Sequence, residues 1–174
     1  NTSLDVLAKL RGAFKAEGGS VTAGNSSGLN DGAAATIIAS EDAVNKYNLK
    51  PLARIVSSAV VGVEPRIMGI GTVQASNKAL AKAGLTMSDM DITELNEAFA
   101  AQALACTRAW GLADDDPRLN PNGGSIAIGH PLGATGVRLV GTLSRILEIE
   151  NKKFGCAAAC IGGGQGIAMI IERI

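Results

Sequence analysis

At 174 residues, with 47% hydrophobic side chains and 16 basic against 16 acidic groups, the chain is long enough to bury one good core, or one domain and a piece of another. Balanced charge removes the long-range field of a nucleic-acid binder, and one Trp and one Tyr are too few for a base-stacking platform, so no nucleic-acid partner is expected. The longest apolar runs, residues 98–105 and 166–171, fall far short of the roughly 20 residues that span a bilayer, and the N-terminus lacks a charged-then-apolar signal pattern, so no membrane partner is expected either.

Residues 3–14 carry Leu4, Val6, Leu7, Leu10 and Phe14 at helical spacing, interrupted by Gly12, and read as the tail of another unit. The spacing predicts a helix over residues 31–47, with Ala34, Ile37, Ile38 and Ala43 on one side and Glu41, Asp42 and Lys46 on the other, ended by Pro51. Residues 53–63 are rich in β-branched side chains, carry no charge after Arg54, and suit a strand buried on both faces. A short Ala-rich helix follows over 74–83 and stops at Gly84, then a short strand over 91–95. A helix over 98–110 is closed by Gly111, a good residue for a left-handed C-terminal cap.

Residues 114–122 read as an acidic, Pro- and Asn-rich loop, and 125–128 as a short apolar strand. Pro131 opens a helix striped by Leu139, Leu143, Ile146 and Leu147. Residues 155–161 and 166–171 form a hairpin about the glycine-rich turn 162–165. The element order indicates an α/β layer on a mixed sheet.

Three cysteines without secretory features point to reduced thiols in an intracellular, cytoplasmic setting. A single histidine and no zinc-like spacing leave no metal site to expect. Glycine, at 22 residues, is about twice its usual share of ~7%, and most of the excess lies in four clusters where backbone can approach a ligand.

His130, between Gly129 and Pro131 at a helix entrance, is either a neutral general base or a surface turn histidine. Cys160, followed by Ile161 and Gly162-Gly163-Gly164, either faces a floor of backbone amides fit to bind an oxyanion or is a buried small hydrophobe. Cys156 and Cys106 read as packing. Asn96-Glu97 at a strand-to-helix junction has a simple capping explanation. Residues 24–28 match the Gly-x-Ser-x-Gly elbow around Ser26, but no apolar strand precedes it. Gly69-Ile70-Gly71 lacks the third glycine of a dinucleotide fingerprint.

Together, Asn96-Glu97-Ala98-Phe99-Ala100, residues 122–136 (NGGSIAIGHPLGATG) and residues 160–166 (CIGGGQG) resemble, in order and spacing, the three C-terminal motifs of thiolases. Residues 21–33 (VTAGNSSGLNDGA) resemble that family's CoA-loop motif. The resemblance implies ping-pong acyl transfer between CoA thioesters, run as Claisen condensation or as thiolysis, with CoA and acetyl-CoA as substrates and no permanently bound cofactor or metal. His130 resembles the base that activates the nucleophile, Cys160 the second cysteine that moves the α-proton, and Asn96 the holder of a water in the first oxyanion hole. The Gly162 amide resembles half of the second hole. Ser27 resembles a contact to the pantetheine arm, with Phe14 and Phe99 beside it.

The family's acylated cysteine belongs to an N-terminal motif that this sequence does not contain, and the chain opens on Asn1 without a Met. The polypeptide alone is therefore expected to lack activity and to need the N-terminal portion as a partner. The resemblance also implies three segments: 1–28 as the end of the CoA-binding loop domain, 29–50 as the closing helix of the N-terminal domain, and 51–174 as the C-terminal domain on a mixed five-stranded sheet. It implies a homo-oligomer, dimer or tetramer, for the full-length protein. A rival reading is a thiolase-like domain that binds acyl-CoA or a partner without turnover, and a serine hydrolase using Ser26 is more distant. The loop 114–122 resembles that of thiolases acting on 3-oxoadipyl-CoA, while the rest fits acetoacetyl-CoA or longer 3-oxoacyl chains equally well.

Overall fold

In the computed structural model, which describes residues 2–174, four strands form a mixed sheet: β1 (Ala53–Gly62), β2 (Ile92–Leu95), β3 (Phe154–Ile161) and β4 (Gln165–Arg173). Their spatial order is β1-β4-β3-β2, with β3 and β2 parallel and the other two pairs antiparallel. Among the described residues six α-helices accompany it: α1 (Leu4–Leu7), α2 (Glu41–Tyr47), α3 (Gly71–Ala83), α4 (Ala100–Trp110), α5 (Ser125–Ile128) and α6 (Thr135–Ile149). None is long and apolar enough to cross a membrane.

The centre of the sheet is made of small side chains, which is why helices pack closely on both of its faces. Cys156 and Ala158 of β3 meet Ala75, Ala79 and Leu80 of α3 on one face. Ala157 meets Leu139, Leu143, Ile146 and Leu147 of α6 on the other. Each fully buried leucine of α6 contributes about 1.5–3 kcal/mol. Gly155 lets Leu143 lie against the strand, since a Cβ there would stand 2.6 Å from the leucine Cδ1.

Beyond β2 the sheet has no fifth strand, and residues 118–120 cover its outer edge. Thr93 N–H donates to the Arg118 carbonyl (2.8 Å), and Asn120 N–H donates to the Thr93 carbonyl (2.9 Å). The Asn120 side chain continues this ladder: Oδ1 accepts from Leu95 N (2.8 Å) and Nδ2 donates to Leu95 O (2.9 Å). A loop thus does for β2 what a neighbouring strand would do.

The α/β class and mixed sheet expected from the sequence stand, but four details differ. The sheet has four strands rather than five because residues 125–128 form a helical turn, α5. The Glu97 carboxylate accepts from Ile126 N (3.2 Å), and the amides of Ala127 and Ile128 both return to Gly124 O (3.0 Å); a segment of four residues carries too short a period to tell strand from helix. β1 is an edge strand rather than one buried on both faces, with Ile55 and Val60 about half exposed and Ala59 alone buried. The helix expected over 31–47 is only α2, begun at Ser40, whose hydroxyl accepts from Ala43 N (3.2 Å); Ile37 and Ile38 are exposed and give the preceding residues no apolar contact to hold a helix. The last helix starts at Thr135, after a turn over 131–134, rather than at Pro131.

Candidate active site

The carboxyl ends of the parallel strands β2 and β3 lie side by side: Leu95 pairs with Ala158, and Asn96 N–H donates to the Ala158 carbonyl at 2.9 Å. In open α/β sheets this edge is where ligands bind. Asn96, 1% exposed, does not cap α4, whose N-cap is Phe99. Its Oδ1 accepts from the Ser125 hydroxyl (2.6 Å), and its Nδ2 lies 3.5 Å from His130 Nε2. Glu97 also turns away from α4. Its carboxylate accepts from Asn120 Nδ2 (2.8 Å) and from Ile126 N, so it clamps the segment leading to the histidine.

His130 is held from three directions. Its backbone N–H is shared between the Gly28 carbonyl (3.1 Å) and Asn30 Oδ1 (3.2 Å), which ties it to the glycine-rich stretch 21–33. Gly129 before it sits at φ 96°, and a Cβ there would meet Asn30 Oδ1 at 2.5 Å, so the close approach requires glycine. The ring places Nδ1 2.7 Å from Thr135 Oγ1, on the first residue of α6. Burial, and then the nearby Arg138 charge, hold the imidazole below its ordinary value, which favours the neutral ring.

Cys160 stands near the carboxyl end of β3, half-buried, with burial pushing its thiol upward. Strand alternation puts it on the α3 side with Cys156 and Ala158, whereas Asn96 follows Glu94 on the α6 side, so the two groups reach the same sheet edge from opposite faces. Among the described residues no hydrogen bond joins Cys160 to His130. Gly162 opens the next turn with nothing within 4 Å of where a Cβ would stand. Gly164, at φ 91°, accepts on its carbonyl from Val63 N–H (2.8 Å) and has no room for a Cβ against Val63 O. Cys156 and Cys106 are buried, and burial pushes each thiol up to about 11.

Ser27, Phe14 and Phe99 come together as a second group. Ser27 donates both N–H (3.1 Å) and hydroxyl (3.4 Å) to Ala98 O, Ala100 N–H donates to Asn25 O (2.8 Å), and the Phe14 and Phe99 rings meet edge to face at 5.8 Å. A shallow cavity of about 200 Å³ opens beside Phe14, lined also by Lys15 and residues 18–21. Ser26 gives its hydroxyl to the Thr22 carbonyl (2.7 Å), and among the described residues the His130 ring is hydrogen-bonded to Asn96 and Thr135 and not to Ser26, which speaks against the hydrolase elbow.

Sequence reasoning missed Ser125, Thr135, Arg138 and Glu94. Ser125 and Thr135 each lie five residues from His130, and Arg138 is the only charge in the first two turns of α6; a charge beginning an apolar stripe was the available signal. Glu94 left none, since it reads as the polar member of a short strand.

Two family descriptions match the chain: Thiolase, C-terminal domain, over residues 49–173, and Thiolase, N-terminal domain, over residues 1–42. The β-ketoadipyl-CoA thiolase of Acinetobacter baylyi is 61% identical over 174 residues, covering 100% of this chain and 43% of that protein. The 3-oxoadipyl-CoA/3-oxo-5,6-dehydrosuberyl-CoA thiolase of Escherichia coli is 55% identical, covering 99% of this chain and 43% of its own length. The crystal structure of human mitochondrial 3-ketoacyl-CoA thiolase in complex with CoA superposes with a TM-score of 0.95 at 53% identity, over 100% of this chain and 43% of that one. The chain therefore spans less than half the length of these relatives.

Proposed function

The chain belongs to the thiolase family, and from that premise we propose that it supplies the C-terminal catalytic half of an acyl-CoA C-acyltransferase. The observation that carries this reading is the arrangement at the carboxyl ends of β2 and β3, where the His130 imidazole, an oriented Asn96 carboxamide and the Cys160 thiol share one edge.

In this reading a cysteine outside the chain is the nucleophile. His130 Nε2 takes its proton, and the thiolate attacks the first acyl-CoA, expelling CoA as a thiol and leaving an acyl thioester on the protein. The Cys160 thiol protonates the departing CoA sulfur and, as the thiolate so formed, removes the α-proton of acetyl-CoA; the carbanion attacks the acyl carbonyl, and the nucleophilic cysteine leaves with the proton held by His130; thiolysis is the reverse. A water on Asn96 and the Gly162 amide stabilise the two oxyanions, donors that cost little to preorganise because the strand ends already fix them. Ser27, Phe14 and Phe99 receive the pantetheine arm, a role supported by their assembly around Ala98 and by the CoA complex of the human relative.

The segments 1–28, 29–50 and 51–174 keep the domain roles expected above, with residues 29–50 as connector rather than one helix. The preferred substrate we propose is 3-oxoadipyl-CoA, in aromatic degradation rather than fatty-acid oxidation. Its support is the names of the two bacterial relatives, because the loop 114–122 offers no free cation for a distal carboxylate: Arg118 is bound to Asp116 (2.7 Å) and Arg108 to Asp114 (2.9 Å). The cytoplasm is the proposed location, and a dimer or tetramer the form of the full-length protein.

The test is thiolysis by the full-length parent of acetoacetyl-, 3-oxoadipyl- and longer 3-oxoacyl-CoA. His130→Ala should lower kcat by roughly 100-fold or more; unchanged turnover would leave an acyl-CoA-binding domain without catalysis as the better reading.

A further inference from the structure

Asn96 and His130 are tied to a chain of buried polar groups that the chemistry above does not use. Glu94, fully buried, accepts from Arg138 Nη1 (3.3 Å); Arg138 Nη2 donates to Ser125 Oγ (3.0 Å); Ser125, fully buried, donates to Asn96 Oδ1 (2.6 Å). Past the histidine, Thr135 Oγ1 donates to Pro131 O (3.0 Å) and lies 2.7 Å from His130 Nδ1.

Each link has a direction that donor and acceptor chemistry dictates. A guanidinium only donates, so Ser125 Oγ accepts from Arg138 and its one proton is free for Asn96. If the Asn96 amide were turned over, its NH2 would face Ser125, and the serine proton would be left inside the protein without an acceptor. The amide therefore keeps its oxygen on Ser125 and its nitrogen toward His130. At the other end the Thr135 hydroxyl reaches the Pro131 carbonyl as well as Nδ1; with its proton on the carbonyl it accepts from Nδ1, which then carries a hydrogen. Nε2 is then left with its lone pair, toward the Asn96 NH2. Both ends of the network select the same tautomer.

We propose that Ser125, Arg138 and Thr135 are positioning residues: they lock the Asn96 carboxamide with its nitrogen toward His130 and hold His130 in the Nδ1–H form, with Nε2 ready to accept a proton. The use of that lone pair rests on the proposed function, whereas the tautomer itself does not. Glu94 anchors the guanidinium from the side away from the site. A misassigned tautomer leaves the geometry intact and removes the base, so kcat carries the effect and KM does not.

His130 is the only histidine of the chain, so its imidazole can be read without interference by NMR on protein labelled with 15N-histidine. The wild-type chain should show a protonated Nδ1 and an unprotonated Nε2 at pH above the ring's titration. Ser125→Ala releases the Asn96 amide to rotate, and Thr135→Val removes the acceptor for Nδ1–H; each should shift the ring toward the Nε2–H form, and Thr135→Ser should restore the wild-type pattern. In the full-length parent Ser125→Ala should lower kcat by about 10- to 100-fold with KM changed less than about two-fold.

A wild-type ring in the Nε2–H form overturns the proposal without any variant, so a variant that fails to fold does not shield it. A tautomer unmoved in both Ser125→Ala and Thr135→Val also overturns it. If the tautomer moves as expected but His130→Ala leaves thiolysis intact, the positioning network stands and the assigned chemistry fails.

Discussion

Asn120→Ala is the substitution whose effect follows most directly from the fold. Among the described residues Asn120 alone pairs the outward N–H and C=O of Leu95, a residue with 0% exposure. Truncation leaves two buried backbone groups without partners, each worth about 1–3 kcal/mol, for about 2–6 kcal/mol in all. Asn120 also holds φ at 44°, a left-handed conformation that alanine occupies at a further cost of about 1 kcal/mol. With a urea slope of about 2 kcal/mol per molar, the unfolding midpoint of the variant, followed by circular dichroism, should fall by at least about 1 M. Asn122→Ala, at an exposed neighbour, is the control and should stay within about 0.5 kcal/mol. An Asn120→Ala midpoint indistinguishable from wild type would refute the idea that residues 118–120 serve as the missing neighbour of β2.

Gly166→Ala should cost at least about 3 kcal/mol, the upper end for overpacking, because its methyl would overlap the Gly71 carbonyl and stand 2.7 Å from Thr72 N, both backbone atoms of α3; the same urea titration reads it. Glu94 should make stability fall as pH rises. Burial pushes its carboxyl from 4.5 to about 7 against the opposing pull of Arg138, with Glu97 adding to the rise, and one carboxylate oxygen has no partner. A raised folded value means that the contribution is fully present below 4.5 and lost as pH climbs through 7, an amplitude of about 3 kcal/mol. Glu94→Gln should flatten that slope, and a slope identical in the two proteins would show that the carboxylate is already stabilised when ionised.

Where a segment carries a long period or a required conformation, the sequence disclosed the structure. The stripe from Leu139 to Leu147 and the left-handed caps Gly84 and Gly111 are visible as spacing and residue type, and the structure places all of them as read. Residues 125–128 misled because four residues have no decisive period, and what bends them is the Glu97 carboxylate, 29 residues away in sequence at Ile126. The run 53–63 looks the same whether an edge or a central strand, since β-branched side chains record strand propensity and not what covers the strand. Within the site, His130 and Cys160 stood out by type and neighbourhood, and Asn96 only through the resemblance of its motif. The groups that orient them did not, because Ser125, Thr135 and Arg138 act through hydrogen-bond direction, which spacing cannot encode.

The most direct test of the central claim is the cleavage of acetoacetyl-CoA by CoA, followed at the enolate absorbance, for the purified 174-residue chain with and without a separately expressed N-terminal thiolase portion. The account expects no turnover from the chain alone, turnover when the N-terminal portion supplies the acylated cysteine, and loss of that turnover in His130→Ala. Thiolysis by the chain alone, with intact mass showing no companion polypeptide, would contradict it.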